Sequence, residues 1–210
     1  MIDTETVWYE SYRDVILKNH GVFVDLKEYS KCSGTGNAVL IKYFQQITKN
    51  ALDFETIQVL ALERYKEKLQ TPILREGVLD YLLQAKELDL KIGLASSSSR
   101  SWVVDYLEQL QILEFFDILN TRNEVTAVKP NPELYLKTLY DLTLFPNEAI
   151  AFKDSLNGLL AAKSAGIYCV TVPNPVTKHL AFETQDFTIN SMREKSLKQI
   201  ISHIELQAAH

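Results

Sequence analysis

The sequence predicts an α/β fold with a parallel sheet as its core and a helical segment inserted near its N-terminus. From about residue 90 onward, short apolar runs alternate with helical patterns of about 12 residues, as in βαβ units. The runs are continuously apolar rather than alternating, which is typical of strands covered on both faces. The first third of the chain carries only helical periodicity, so it forms the insert.

Three helices are predicted in the insert, because apolar residues recur there at helical spacing and short polar turns separate the patterns. They cover residues 4–20, 37–48 and 53–69. Helices joined in this way indicate a small bundle. We therefore divide the chain into a helical cap domain at 8–74 and an α/β core made of 1–7 and 75–210.

The core pattern begins with a helix and continues as alternating strands and helices. The helices are predicted at 77–88, 102–110, 132–144 and 156–165, and the strands at 90–95, 149–152 and 168–172, with a short apolar segment at 116–119. In open parallel sheets, ligands bind at the C-terminal ends of the strands. Small, polar and charged residues collect at those ends and include Ser96, Ser97, Lys129 and Asp154. The functional site is therefore expected there.

The composition is that of an ordinary globular protein: of 210 residues, 46% are apolar and 23% charged, and the net charge is -5. It excludes a disordered chain, a collagen-like fibre and a disulfide-stapled miniprotein, and it disfavours nucleic acid as a partner. No apolar run approaches about 20 residues, and Met1–Glu5 lacks the apolar stretch of a signal peptide. We expect no membrane partner and a cytoplasmic location. Cys32 and Cys169 are predicted to be reduced, buried thiols.

Each candidate residue permits a functional and a structural interpretation. Ser96 and Ser97 precede a helix, where hydroxyls and free N–H groups bind anions, but serine is also an ordinary helix cap. Lys129 is followed by two prolines that keep the backbone extended. Its ammonium suits a phosphate, unless it is a solvated surface lysine. Asp154 follows a strand, where its carboxylate either suits Mg²⁺ or caps the next helix.

Three stretches occur in a specific order along the chain. They are Gly93–Ser98, Val128–Glu133 and Phe152–Gly158. In this order they resemble the motifs of the haloacid dehalogenase superfamily, in its β-phosphoglucomutase-like branch of small phosphatases and sugar-phosphate mutases. The resemblance covers essentially the whole chain. It implies a Rossmann-like parallel core, a helical cap that closes over the site, and a Mg²⁺-dependent phosphoryl transfer.

The resemblance also implies a role for each candidate residue. In the family, an aspartate attacks phosphorus, and a second aspartate two residues later acts as general acid and then as general base. By this likeness the catalytic residues are Ser96, Lys129 and Asp154. Ser96 hydrogen-bonds the phosphoryl group with help from Ser97, Lys129 neutralises charge on the nucleophile and the phosphoryl oxygens, and Asp154 holds Mg²⁺.

Two features depart from the family pattern. Asp3–Glu5 matches only the tail of the first motif, Asp-x-Asp-Gly, so in this register the nucleophile falls five residues before Met1 and the acid/base three before it. We therefore expect the first, central core strand to be missing. Lys153 stands where the branch usually has glutamate, and a cation beside a divalent metal is unfavourable. Either Lys153 turns to solvent, or the metal site is impaired.

Thr4, Trp8 and Asn37 are the candidate substrate-contacting residues of the cap. Trp8 and Asn37 stand where the mutase has a histidine and an arginine that contact the sugar phosphate, and neither carries a fixed positive charge. This favours a phosphatase. We predict a monomeric, Mg²⁺-dependent phosphatase that hydrolyses a small phosphate monoester, with a sugar phosphate favoured. Two alternatives remain: a catalytically inactive protein that binds a phosphorylated ligand or partner, and a sugar-phosphate mutase.

Overall fold

The computed structural model describes residues 1–32, 37–49 and 52–208. The chain divides into two compact units. The α/β unit contains Met1, Pro72–Pro173 and Phe182–His210, and the helical unit contains Ile2–Thr71 and Asn174–Ala181. The helical unit thus includes a segment close to the C-terminus that the sequence analysis assigns to the core.

In the part of the helical unit that the structure describes there are four α-helices. They are α1 (Thr4–His20), α2 (Leu26–Ser30), α3 (Asn37–Ile47) and α4 (Phe54–Lys68). Asp3 caps α1, because its Oδ1 accepts a hydrogen bond of 3.1 Å from the Thr6 N–H. Gly21 ends α1 in the left-handed region, with φ at +65°, and donates its N–H to Leu17 O. The helix α2 was not predicted, because five residues are too few to show a helical period.

One apolar cluster holds the helical unit together. Ile16, Phe44 and Ala61 come from α1, α3 and α4, and each is fully buried. Val176, from the segment Asn174–Ala181, is buried in the same cluster. Asn174 fixes the fold of this segment, because its Oδ1 accepts hydrogen bonds from the N–H groups of Val176 and Thr177 at 3.0 and 2.9 Å. Burial of Val176 is the physical reason that the segment belongs with the helices.

The α/β unit alternates strands and helices as predicted. In chain order its elements are α5 (Val78–Glu87), β1 (Gly93–Ala95), α6 (Arg100–Gln109), β2 (Ile118–Asn120), α7 (Glu133–Leu142), β3 (Ile150–Lys153), α8 (Leu156–Ser164), β4 (Tyr168–Thr171), β5 (Phe187–Thr188) and α9 (Leu197–Ala208). Short 3₁₀ turns lie at Leu113–Phe115, Arg122–Glu124, Pro146–Glu148 and, in the helical unit, Thr177–His179.

Within the described residues, all strand pairs are parallel and they form two separate sheets. In one sheet, β1 pairs with β2 so that Ala95 lies opposite Asn120. In the other, the order is β3-β4-β5, with Lys153 opposite Thr171. Among the described residues no strand joins β1 to β3, which agrees with the expected lack of a central strand. The predicted α/β class with a parallel, Rossmann-like core is confirmed.

The strand β1 is shorter than predicted. The apolar run covers 90–95, but only Gly93–Ala95 pairs with a neighbouring strand. Ile92 donates its N–H to the Asp117 carboxylate at 2.6 Å and accepts from the Asp117 N–H at 2.9 Å. The Asp117 carboxylate thus takes up the Ile92 N–H, so the pairing of β1 with β2 begins only at Gly93. The two-residue strand β5 was not predicted, because it is too short for any periodicity.

Both cysteines are buried, as predicted, and they are not joined to each other by a disulfide. Within the described residues, no helix is long and apolar enough to cross a membrane.

Candidate active site

Ser96 and Ser97 follow directly after β1. Ser96 donates its N–H to Asn120 O at 2.9 Å, and its Oγ accepts a hydrogen bond from the Ser98 N–H at 3.1 Å. Ser96 is half-buried and Ser97 is exposed. The N-cap of α6 is Ser99, so neither of the two earlier serines is the helix cap. Their hydroxyls lie at the strand end that parallel sheets use for ligands.

Lys129 reaches the same strand end. Its Nζ donates a hydrogen bond of 2.6 Å to the carbonyl of Ala95, the residue before Ser96. The ammonium also lies over the ring of Tyr135, 5.0 Å from its centroid. Burial and the nearby Lys153 ammonium hold the pKa of Lys129 well below its ordinary value. Lys129 is thus a fixed group inside the fold, and the structure brings it next to Ala95 from 34 residues away along the chain.

Asp154 follows β3 and lies among positive charges. The Arg75 guanidinium is 3.9 Å from its Oδ2, and Arg75 itself is fixed by hydrogen bonds to Val172 O and Pro173 O at 2.8 and 2.7 Å. Burial acts to raise the pKa of Asp154, but nearby positive charges, Lys153 foremost and Arg75 among them, outweigh it and keep the pKa below its ordinary value. The carboxylate is therefore charged and already faces cations.

Lys153 does not extend into solvent. It is half-buried, and its aliphatic stem passes directly across Gly158 in the first turn of α8. A Cβ at position 158 would collide with Lys153 Cε, so the absence of a side chain at Gly158 is what makes room for this lysine. Of the two expectations for Lys153, the structure contradicts the one that turns it to solvent.

The described residues do not fit a magnesium site on their own. Mg²⁺ prefers several oxygen ligands, with carboxylates prominent among them. In the part of the chain that the structure describes, no three Asp, Glu, His or Cys side chains are grouped so that they could hold a metal ion. Asp154 has Lys153 and Arg75 as neighbours instead.

Two residues near the site were not singled out from the sequence. Arg75 precedes α5 and has no motif around it. Tyr135 lies in the first turn of α7, six residues after Lys129, and is only 7% exposed. Its hydroxyl is buried and has no hydrogen-bond partner among the described residues. The proline-flanked Lys129 could have pointed to Tyr135, since the segment leads straight into that helix.

The predicted cap residues lie in the helical unit. Thr4 is the first residue of α1. The ring of Trp8 stacks on those of Tyr65 and Tyr12, with centroids 4.3 and 5.7 Å apart, and it packs against the apolar cluster of that unit. Asn37 begins α3, but its side chain lies outside the described residues. The contact of these residues with a substrate stays a prediction.

Comparisons with known proteins agree with the motif order. A model of the family described as haloacid dehalogenase-like hydrolase matches residues 1–172. The Bacillus subtilis protein YhcW, whose name provisionally assigns it a phosphatase activity, is 40% identical over 208 residues, which are 99% of this chain and 94% of that protein. The phosphorylated carbohydrates phosphatase of Thermotoga maritima is 28% identical over 169 residues, covering 80% of this chain and 77% of that one.

A solved structure shows the same fold. The β-phosphoglucomutase of Clostridium difficile superimposes with a TM-score of 0.74 and covers all of this chain (100%) and 95% of its own, at 22% identity. The likeness shows that the two chains share a fold.

Proposed function

Because the chain belongs to the haloacid dehalogenase-like hydrolase family, we propose that it is a phosphatase that hydrolyses a small phosphate monoester, with a sugar phosphate as the substrate class. A relative that acts on phosphorylated carbohydrates supports this substrate class. The observation that carries the proposal is the hydrogen bond of Lys129 Nζ to Ala95 O, which puts the side-chain nitrogen of Lys129 at the strand end that Ser96 follows.

These two groups perform the binding step. Lys129 offsets negative charge on the phosphoryl oxygens, and the Ser96 hydroxyl donates a hydrogen bond to one of them. Both groups are fixed before substrate arrives, so they need little reorganisation during the reaction. The family uses an aspartate as the nucleophile, and of its first motif only the tail, Asp3–Glu5, matches residues of this sequence. Magnesium is the cofactor that the family implies, but among the described residues Asp154 stands without further carboxylates to complete a site for it.

The proposal is tested by phosphate release from a panel of sugar phosphates and other monoesters. The assay uses the protein as it is expressed from its natural gene. We expect Lys129→Met to lower kcat/KM at least about 100-fold, as when a main transition-state donor is removed. The control is Lys198→Met, which removes an exposed lysine on α9 and leaves the rate unchanged. Equal rates for both variants would contradict the proposal.

A second function is favoured by one observation, the cationic surroundings of Asp154. A chain with Lys153 in the usual glutamate position could bind a phosphorylated ligand or partner without turning it over. The same assay separates the two functions: phosphate binding without any release of phosphate from the panel supports the binding protein. An isomerised sugar phosphate as product would instead identify a mutase.

A further inference from the structure

Three groups around the ends of β1 and β3 point to an anion. Lys129 donates a hydrogen bond to Ala95 O, and Lys153 lies close enough to lower the pKa of Lys129. The Tyr135 ring lies beneath the Lys129 ammonium at 5.0 Å. These groups come from the segment before α7, the end of β3 and the first turn of α7, and they meet only because of the fold.

The Tyr135 hydroxyl is a buried polar group with unused hydrogen-bonding capacity in the described part of the chain. Its side chain is more than nine-tenths buried, and its hydroxyl has no partner among the described residues. A buried hydroxyl that lacks a partner is costly, so such a group in a folded protein indicates a ligand or an ordered water. A phosphate suits this set, because its oxygens accept hydrogen bonds from the Tyr135 hydroxyl and from the lysine side chains.

The charges at the site favour an anion over a divalent cation. Lys153 and Arg75 are the positive charges that act on Asp154, the carboxylate placed among them in the described part of the chain, whereas burial and Lys153 lower the pKa of Lys129. The Cys169 thiol nearby is neutral, because burial raises its pKa to about 12. The excess of positive charge repels Mg²⁺ and attracts a phosphate dianion.

We propose that Lys129, Lys153 and the hydroxyl of Tyr135 form a phosphate-binding site that works without Mg²⁺, with the Lys153 ammonium supplying the positive charge that a metal ion would otherwise provide. The proposal rests on the proposed function, since it concerns the same phosphate site. It goes further in assigning Tyr135 as a ligand-binding residue and in removing the metal requirement for binding.

The test is calorimetric titration of the protein with inorganic phosphate, in excess EDTA and separately in excess Mg²⁺. We expect binding in EDTA, with a Kd that changes less than about twofold on adding Mg²⁺. Lys153→Met weakens binding in EDTA at least about tenfold, and Tyr135→Phe weakens it about three- to tenfold, as for a hydrogen bond to a charged group. Circular dichroism confirms that each variant is folded, and Lys198→Met, on the exposed face of α9, binds as the parent does.

The variant Lys153→Glu discriminates best, because it restores the residue type usual in the branch. We expect it to abolish phosphate binding in EDTA and to make binding dependent on Mg²⁺. Binding by the parent that requires Mg²⁺, or binding unaffected by Lys153→Met and Tyr135→Phe, overturns the metal-free site but leaves the proposed function intact. Absence of phosphate binding in both buffers, together with no effect of Lys129→Met, overturns the proposed function as well.

Discussion

Gly77 holds a backbone conformation that other residues would not tolerate. The predicted helix includes Gly77, but the structure begins α5 at Val78 and leaves Gly77 as its cap, with φ at +78°. A Cβ at this position would lie 2.5 Å from the carbonyl carbon of Met192, a backbone atom that cannot move aside cheaply. Gly21 has a similar φ of +65° but open space around it. A side chain at position 21 therefore introduces backbone strain alone, whereas one at position 77 introduces backbone strain and a steric collision.

Gly77→Ala is expected to destabilise the protein by about 2–4 kcal/mol, which combines left-handed strain with a backbone clash. The matched control Gly21→Ala adds only the left-handed strain, about 1 kcal/mol. Urea unfolding of both variants, compared with the parent chain, checks this. Equal losses in the free energy of unfolding at positions 21 and 77 would show that the close approach to Met192 does not destabilise the Gly77→Ala variant.

The helices α1 and α4 are joined by ion pairs that centre on Asp14. Its carboxylate lies 2.8 Å from Arg13, 3.1 Å from Lys68 and 3.8 Å from Arg64. Burial acts to raise the pKa of Asp14, but the hydrogen bonds from Arg13 and Lys68 outweigh it and lower the pKa below the ordinary 3.8. Folding therefore stabilises the charged form of Asp14, and the charged form in turn stabilises the packing of α1 on α4.

Asp14→Asn is expected to cost about 1 kcal/mol at neutral pH, since the network is only partly screened by solvent. A lowered pKa contributes stability that is full above the unfolded value of 3.8 and is lost as the pH falls through the folded value. The difference between variant and parent should therefore shrink below about pH 4. The urea midpoints of variant and parent, measured at neutral pH and below about pH 4, give this difference in stability.

The control for Asp14→Asn is Glu28→Gln. Glu28 pairs with Lys31 at 2.7 Å, but both side chains are at least half exposed, 50% and 57%. Such a pair contributes little. A difference for Asp14→Asn that stays constant down to strongly acidic pH would show that lost packing, and not charge, causes its effect.

Across the whole molecule, the two units have separate apolar clusters. Ile16, Phe44 and Val176 are buried in the helical unit, whereas Leu159 and Cys169 are buried in a cluster of the α/β unit. The segment Asn174–Ala181 is 103 residues or more beyond Thr71 in sequence but belongs to the helical unit. Local opening should follow these clusters rather than the order of the chain.

Phe44→Ala should remove about 3–5 kcal/mol of packing from the helical unit, because its fully buried ring touches Tyr12 and Tyr29. We expect amide hydrogen exchange to become faster in Ile2–Thr71 and in Asn174–Ala181, and to change less in Pro72–Pro173. Leu159→Ala, which opens a cavity in the α/β unit, is the matched control and should show the reverse. If Asn174–Ala181 instead responds to Leu159→Ala, the segment belongs energetically to the α/β unit.

Much of the fold could be predicted from local sequence. The helix predicted at 4–20 is α1, and the strands predicted at 149–152 and 168–172 differ from β3 and β4 by one residue at their ends. These elements are long or strongly apolar, so their periodicity is carried by neighbouring residues. The short elements α2 and β5 escaped prediction, because so few residues carry no period.

The family membership was also predictable, and it is confirmed. The order of the motifs around Ser96, Lys129 and Asp154 is a property of the sequence alone, and the family comparison covers 1–172. The roles of those residues, the use of Mg²⁺ and the boundaries 8–74 stay predictions. The confirmed statement is that the chain is a haloacid dehalogenase-like hydrolase whose relatives are named phosphatases.

The sequence by itself thus determined the class of fold, the order of its elements and the strand ends where charge collects. Only the tertiary structure decided that Lys129 lies on Ala95, that Lys153 packs across Gly158, and that Tyr135 is buried without a hydrogen-bond partner among the described residues. The physical reason is distance along the chain. Periodicity and caps depend on residues a few positions apart, whereas these contacts depend on the path of the whole backbone, which no local pattern encodes.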